Sequence, residues 1–156
     1  MSDFHLLLEE QIPKLMRYAT ALTRDADEAE ELIAETIREA LAEQRRCRGN
    51  LRVWLLTLLH DLRGNPFRRS LDASAAPVSD PNGPLTLSQL GRALGQLPEE
   101  QRAAILLIGL EGLSYSETAA VLRITSSTMR SRLSRGRAAL RRAMGVEAAP
   151  RVARAA

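Results

Sequence analysis

The chain has 156 residues, room for one ordinary domain or two small ones, and 45% of them are hydrophobic while only 3% are aromatic. One cysteine, Cys47, excludes an internal disulfide. The first residues lack the pattern of a secretion signal, so we expect none, and no stretch approaches the roughly 20 apolar residues of a membrane span. The net charge is +3, and the basic excess is confined to residues 99–156, which hold 10 basic and 5 acidic residues. Such a segment either binds a polyanion or is a solvated basic tail.

Cores built from Leu, Ile, Val and Ala favour helices over sheets, and the first half of the chain shows helical spacing throughout. Apolar residues recur at intervals of three and four over Leu6–Thr23, a helix that Pro13 should kink or begin. Asp27 can cap a second helix that runs to about Arg46. Asn50 can cap a third, which should stop at Gly64-Asn65-Pro66.

Residues 70–84 are rich in Ser, Ala, Pro, Asp and Gly and lack apolar periodicity, which is typical of a flexible linker. A second set of helices should follow, over residues 85–94, 99–110, 115–122 and 126–144. The sequence therefore predicts an all-α fold of two small helical domains, residues 1–69 and 85–146, followed by a disordered tail, residues 147–156.

Two of these helices form a candidate helix-turn-helix. Ser114 and Glu117 have the spacing of a capping box at the start of the first. A short connection follows, in which Ile124 can pack in the corner and Thr125 or Ser126 can cap the second helix. Two short helices joined by so few residues are typical of DNA-binding proteins.

The last long helix has two different sides when its residues are placed at 100° steps. Met129, Leu133, Gly136, Leu140 and Met144 form an apolar stripe, and the opposite ridge holds the small residues Ser127, Ser131, Ser134 and Ala138. Rows of arginine flank the ridge, and no acidic residue lies between Glu117 and Glu147. This pattern favours a helix that enters the DNA major groove over a solvated basic helix, which usually mixes charges. The predicted DNA-binding residues are Ser126, Ser127, Thr128, Arg130, Ser131, Arg132, Ser134, Arg135 and Arg137.

The second helix has an acidic side on which Glu31, Glu35, Glu39 and Glu43 follow one another at intervals of four. Such neighbours repel one another mildly, so a basic partner could dock here. An ordinary solvated helix face remains an equal alternative. Trp54, the only tryptophan, is expected to pack in the core.

Two sets of stretches together resemble the extracytoplasmic-function sigma factors of bacterial RNA polymerase. Residues 17–23, 27–36 and 50–55 resemble conserved region 2, and residues 97–102, 111–117 and 131–137 resemble region 4. The run at residues 100–109 is similar to general-stress members of alphaproteobacteria, which implies a stress response.

The resemblance implies a transcription initiation factor that binds core RNA polymerase, promoter DNA and an anti-sigma factor in the cytoplasm. Region 2 would dock on the polymerase clamp helices through Glu31, Leu32, Glu35, Thr36 and Glu39. It would open the −10 element, with Trp54, His60, Asp61 and Arg63 as candidate contacts. Region 4 would read the −35 element and touch the polymerase flap.

This chain departs from the family pattern at several positions. Asp61 stands where members usually carry Asn, Gly64-Asn65-Pro66 interrupts a normally continuous basic helix, and Ser127-Thr128-Met129 replaces Gly-Thr-Val. The first two departures motivate an alternative, a sigma-like decoy that captures an anti-sigma factor without opening a promoter, and the third bears on base preference. A repressor that uses only the helix-turn-helix is a third hypothesis. We expect neither an enzyme nor a cofactor, because no phosphate-binding glycine loop, metal-ligand cluster or catalytic triad stands out.

Overall fold

The computed structural model describes residues 3–64 and 85–145, for residues 85–88 the backbone alone, and every regular element in these ranges is helical. The all-α prediction is confirmed. The α-helices are α1 (Asp3–Thr23), α2 (Ala26–Ala42), α3 (Leu51–Arg63), α4 (Leu85–Gln96), α5 (Glu99–Gly109), α6 (Tyr115–Leu122) and α7 (Ser126–Ala143), with a short 3₁₀ helix at Gln44–Arg46. None of the described helices is long and apolar enough to cross a membrane. The predicted linker, residues 70–84, and tail, residues 147–156, lie outside the described residues.

Side-chain caps set the helix boundaries. Asn50 accepts hydrogen bonds from the amides of Arg52 and Val53 at 2.9 and 3.3 Å, so α3 begins where the sequence predicts. The prediction for α2 was wrong by two residues, because Asp25, and not Asp27, provides its cap. Asp25 is extended and its carboxylate accepts from the amides of Asp27 and Glu28, which places Asp27 inside the first turn.

Helix α1 begins earlier than expected and passes through Pro13 without ending there. Proline removes one backbone donor, a loss that packing on both sides of it offsets. Leu8 lies before Pro13 and Leu15 and Tyr18 after it, and all three side chains are buried. Tertiary packing therefore overrides the local signal that predicted a kink or a helix start.

One apolar core runs through both halves of the chain. In the N-terminal module, α1–α3, it includes Leu22, Leu32 and Leu55, all fully buried. The same cluster continues into the C-terminal module, α4–α7, through Leu107 and Val121. Helix α1 packs on α5, and α3 packs on α6. The two modules therefore lie against each other in this structure.

Candidate nucleic-acid interface and partner surfaces

The helix-turn-helix is built from the residues that the sequence singled out. The Ser114 hydroxyl accepts from the Glu117 amide at 3.0 Å, and the Glu117 carboxylate accepts from the Ser114 amide at 3.0 Å. Hydrogen bonding of the carboxylate to Ser114, first of all to its amide, lowers the pKa of Glu117. Arg123 ends α6 in the left-handed conformation with φ of 53°, and Thr125 caps α7 by accepting from the Thr128 amide at 3.1 Å. Local capping therefore fixes both ends of the turn.

Helix α7 buries the apolar stripe as far as Gly136, leaves Leu140 and Met144 partly exposed, and exposes the small ridge. Met129 is 0% exposed and Leu133 is 3% exposed, whereas Ser127, Ser131, Ser134 and Ala138 all face solvent. Gly136 allows the close approach to α5, because an added Cβ would lie 2.9 Å from Cδ1 of Ile105. The predicted orientation of the helix is confirmed, and its contact with DNA stays a prediction.

The arginines along the ridge are not equivalent. Arg130, Arg135 and Arg137 are exposed, and the guanidinium of Arg130 lies 6.0 Å from the ring centre of Tyr115. Arg132 is partly buried and its Nη2 lies 3.9 Å from Oε2 of Glu100. The remaining predicted residues, Ser126 and Thr128, are exposed at the start of the helix. The ridge thus has exposed arginines on both sides, Arg130 and Arg137 on one and Arg135 on the other, where Glu100 partly compensates the charge of neighbouring Arg132.

Replacing Arg135 with alanine should weaken DNA binding and lower the slope of log K against log salt by about one. An exposed guanidinium that binds one phosphate releases about one counterion from the DNA. Without this guanidinium, that counterion stays bound and the salt dependence of binding falls. Arg132→Ala should have a smaller effect, since Glu100 already holds part of its charge. Binding measured from low to moderate salt checks this, with the exposed Arg45→Ala in the other module as the control. An unchanged slope in Arg135→Ala would remove this side chain from the phosphate contact.

The acidic side of α2 is exposed, but two of its predicted polymerase contacts are not. Leu32 and Thr36 are 0% exposed, and the Thr36 hydroxyl donates to the Leu32 carbonyl oxygen at 2.7 Å. Because both side chains face the core, Leu32 and Thr36 cannot contact polymerase directly as predicted, and they support α2 from inside the module. Glu31 is exposed, and Glu35 and Glu39 are partly exposed. A partner at this surface therefore meets carboxylates.

The four candidate −10 contacts on α3 are already engaged within the chain. Trp54 is partly buried and packs edge-on against Phe4, with ring centres 6.4 Å apart. Nε2 of His60 lies 2.6 Å from the Tyr18 hydroxyl, and burial lowers the pKa of His60 to about 4, against the opposing effect of the Glu99 and Asp61 carboxylates. The other two, Asp61 and Arg63, form ion pairs with the C-terminal module.

Arg102 is a key residue that the sequence reasoning missed. It is 8% exposed, and its guanidinium donates to three backbone carbonyl oxygens, those of Leu22, Leu94 and Leu97. Leu22 belongs to α1, so Arg102 links the two modules. A signal existed: Arg102 shares the apolar side of α5 with Leu106, one helical turn later, where a solvated arginine is not expected.

Both modules match known protein families. Residues 87–140 match the family described as Sigma-70, region 4, and residues 8–60 match the Sigma2 domain of PhyR. The chain is 33% identical over 150 residues to the ECF RNA polymerase sigma factor EcfG of Rhodopseudomonas palustris, covering 88% of this chain and 83% of that protein. It is 30% identical over 148 residues to the ECF RNA polymerase sigma factor SigM of Mycobacterium tuberculosis, covering 86% and 72%.

A solved structure is similar over almost the whole chain. It is the sigma factor RpoE of Bartonella quintana in complex with the anti-sigma factor NepR, with a TM-score of 0.81 and 31% identity. The alignment covers 95% of this chain and 100% of that one.

Proposed function

Because this chain belongs to the family of ECF RNA polymerase sigma factors, we propose that α7 reads the −35 element of its promoters while the N-terminal module docks on polymerase and opens the −10 element. The chain is a sigma factor that directs core RNA polymerase to specific promoters for transcription initiation. Sigma factors are regulatory proteins, and we assign no catalytic residue to this chain. We place it in the cytoplasm, where bacterial RNA polymerase works.

The orientation of α7 is the observation that carries the −35 assignment. A helix whose leading side is small and polar can approach the base edges of the major groove closely, and Ser127, Ser131 and Ser134 provide that side. The exposed guanidinium groups of Arg130 and Arg135 lie where they can grip phosphates on either side. The N-terminal amides of α7 add a partial positive charge near the same backbone.

The polymerase contact on the N-terminal module is assigned to Glu31, Glu35 and Glu39. Their carboxylates would pair with basic side chains of the clamp helices, which would also relieve the repulsion along α2. Residues 85–146, proposed as the second domain, would touch the flap. The boundaries of the two domains, with residues 70–84 as the linker between them, are part of the proposal.

The likeness to two relatives supports a stress role and an anti-sigma partner. EcfG of Rhodopseudomonas palustris is a sigma factor of this family, and RpoE of Bartonella quintana forms a complex with the anti-sigma factor NepR. We propose that this chain belongs to the same general-stress subgroup and that a NepR-like anti-sigma factor binds it.

A decoy that captures an anti-sigma factor is the second candidate. The match of residues 8–60 to the Sigma2 domain of PhyR favours it, because PhyR of Bartonella quintana is described as an anti-anti-sigma factor. The engagement of Asp61 and Arg63 with the other module points the same way. A decoy would bind NepR-like proteins tightly and start no transcript.

Run-off transcription with purified core polymerase separates the two candidates. With a library of promoter fragments, the sigma factor should bind core enzyme and start transcripts at a defined class of promoters. No binding to core enzyme, or tight anti-sigma binding without any transcript, would contradict the proposal.

A further inference from the structure

Among the described residues, four ion pairs cross the boundary between the modules. Three of them use a residue of α3, and the fourth joins Arg17 of α1 to Glu111 at 3.8 Å. The first of the three pairs on α3 lies at the exposed edge of the boundary, where Nε and Nη2 of Arg123 donate to the two carboxylate oxygens of Asp61 at 2.7 and 2.8 Å. These bonds and the charge of Asp61 raise the pKa of Arg123. Two parallel bonds orient both side chains, a geometry that one bond to a lysine would not give. Asp61, unusual at this position in the family, thus has a defined partner in the helix-turn-helix.

The second pair joins a partly exposed arginine to a buried carboxylate. Arg52 donates to Oε2 of Glu111 through Nε at 3.0 Å and Nη2 at 2.6 Å, and it also donates to the Glu111 carbonyl oxygen. The Glu111 side chain is 1% exposed. A carboxylate this deeply buried is costly without a cation, so Glu111 ties the loop before α6 to α3.

The third pair joins the ends of two helices. Arg63, the last residue of α3, donates to Oε1 of Glu99 through Nε at 2.9 Å and Nη2 at 2.7 Å. It also pairs with Glu28 of its own module. Arg63 therefore bridges α2 and α3 to the start of α5.

These contacts occupy the surface that the proposed function assigns to the −10 element. His60, Asp61 and Arg63 line a cleft between the modules together with Glu99, Glu100 and Arg132. DNA can reach His60 and Arg63 only if α5 and α6 move away from α3, and until then the exposed Asp61 carboxylate is bound by Arg123. The described structure is thus a closed arrangement in which −10 contact is blocked.

We propose that the free chain inhibits its own promoter opening by this closed arrangement. The exposed Asp61–Arg123 pair, which we call the latch, contributes weakly to the stability of the closed form, and the Arg52–Glu111 pair contributes more strongly. The inference rests on the proposed function, since it is promoter opening that the closure blocks. Apolar packing of Leu107 and Val121 against the N-terminal module favours the closed form, and the ion pairs fix its register. Opening frees Arg52 and Arg123 and leaves Arg63 paired with Glu28 alone, so a polyanion such as promoter DNA can then bind these arginines.

The test measures the ratio of open to closed chains by single-molecule fluorescence transfer. Dyes on Cys47 and on a cysteine introduced at exposed Ala143 report the distance between the modules of the full chain. Asp61→Asn keeps the size of the side chain and removes its charge, and should raise the ratio about two- to five-fold, the range for an exposed ion pair. Arg52→Gln should raise it by more than about tenfold, because it leaves the buried Glu111 carboxylate with only the longer contact to Arg17, at 3.8 Å.

Two variants serve as controls. Glu43→Gln removes an exposed ion pair inside the N-terminal module, with Arg46 at 3.0 Å, and should leave the ratio unchanged. The exchange Asp61→Arg with Arg123→Asp restores opposite charges across the boundary and should return the ratio toward that of the natural chain. Arg123→Gln breaks the same pair without changing the proposed −10 contact at Asp61, so transcription at limiting concentrations of this variant should rise by the same factor as its open fraction.

The outcomes separate the latch from the proposed function. Open-to-closed ratios that do not change in either Asp61→Asn or Arg52→Gln would overturn the closure. A raised ratio without any gain in transcription by an otherwise active chain would overturn self-inhibition. Ratios that respond as expected in a chain that starts no transcript would support the latch and contradict the proposed function.

Discussion

Replacing Ser131 with glutamate should weaken binding to −35 DNA at least about a hundred-fold. Ser131 is exposed at the middle of the small ridge of α7, so the new carboxylate would lie in the groove between two phosphate backbones. Like charges brought together at an interface cost several kcal/mol, and each 1.4 kcal/mol is a factor of ten in affinity. Binding of the full chain to promoter DNA, and transcription from it with core polymerase, measure the loss.

The matched control is Gln44→Glu, which makes the same change of charge at an exposed position in the 3₁₀ helix of the N-terminal module. It should change DNA binding less than about three-fold, as expected for a single distant surface charge in salt. Thermal unfolding of Ser131→Glu should match the natural chain. A Ser131→Glu chain that is folded and binds DNA normally would exclude the ridge from the groove.

Replacing Arg102 with methionine should destabilise the chain by about 3–5 kcal/mol. Methionine fills similar space but donates no hydrogen bond, and a buried acceptor left without a partner costs about 1–3 kcal/mol. The carbonyl oxygens of Leu22, Leu94 and Leu97 all accept from Arg102. Burial lowers the pKa of Arg102, but the carbonyl groups it meets at helix ends favour its charge. Urea unfolding at neutral pH gives the change in free energy.

Two further variants make the Arg102 result specific. Arg45→Met, at an exposed site, should change the free energy of unfolding by less than about 0.5 kcal/mol. Arg102→Lys keeps the charge but cannot reach three carbonyl oxygens at once, so it should fall between methionine and the natural chain. A loss below about 1 kcal/mol in Arg102→Met would mean that water replaces the guanidinium.

Local and periodic features of the fold could be predicted from the sequence. The capping box of Ser114 and Glu117 involves residues three apart, and the two sides of α7 follow from 3.6 residues per turn. Helices α3, α6 and α7 therefore begin at the predicted residues. The choice of Asp25 over Asp27 as a cap was harder, because two aspartates stand within one turn and only the backbone angles decide between them.

Contacts between distant parts of the chain could not be predicted. Asp61 and Arg123 are 62 positions apart, and Arg52 and Glu111 are 59 apart, so no local pattern connects them. The burial of Leu32 and Thr36 was within reach of the sequence, since both lie on the apolar half of α2. Family resemblance alone assigned them a surface role, and the helical wheel already contradicted it.

Asp61 shows how the structure changes the interpretation of a departure from the family pattern. From the sequence it indicated a lost base contact and favoured the decoy. In the structure its carboxylate makes two hydrogen bonds with Arg123 in the turn of the helix-turn-helix. The substitution thus has a structural role within the free chain, whichever DNA contact it makes after opening.

Site-specific photo-crosslinking in an initiation complex tests the central claim most directly. With a photoreactive residue at position 131, on the exposed ridge of α7, the chain assembled with core polymerase and promoter should crosslink to DNA near −35. The same residue at position 31, on the acidic side of α2, should crosslink to a polymerase subunit. An active complex in which position 131 crosslinks only to protein would contradict the assignment of α7 to DNA.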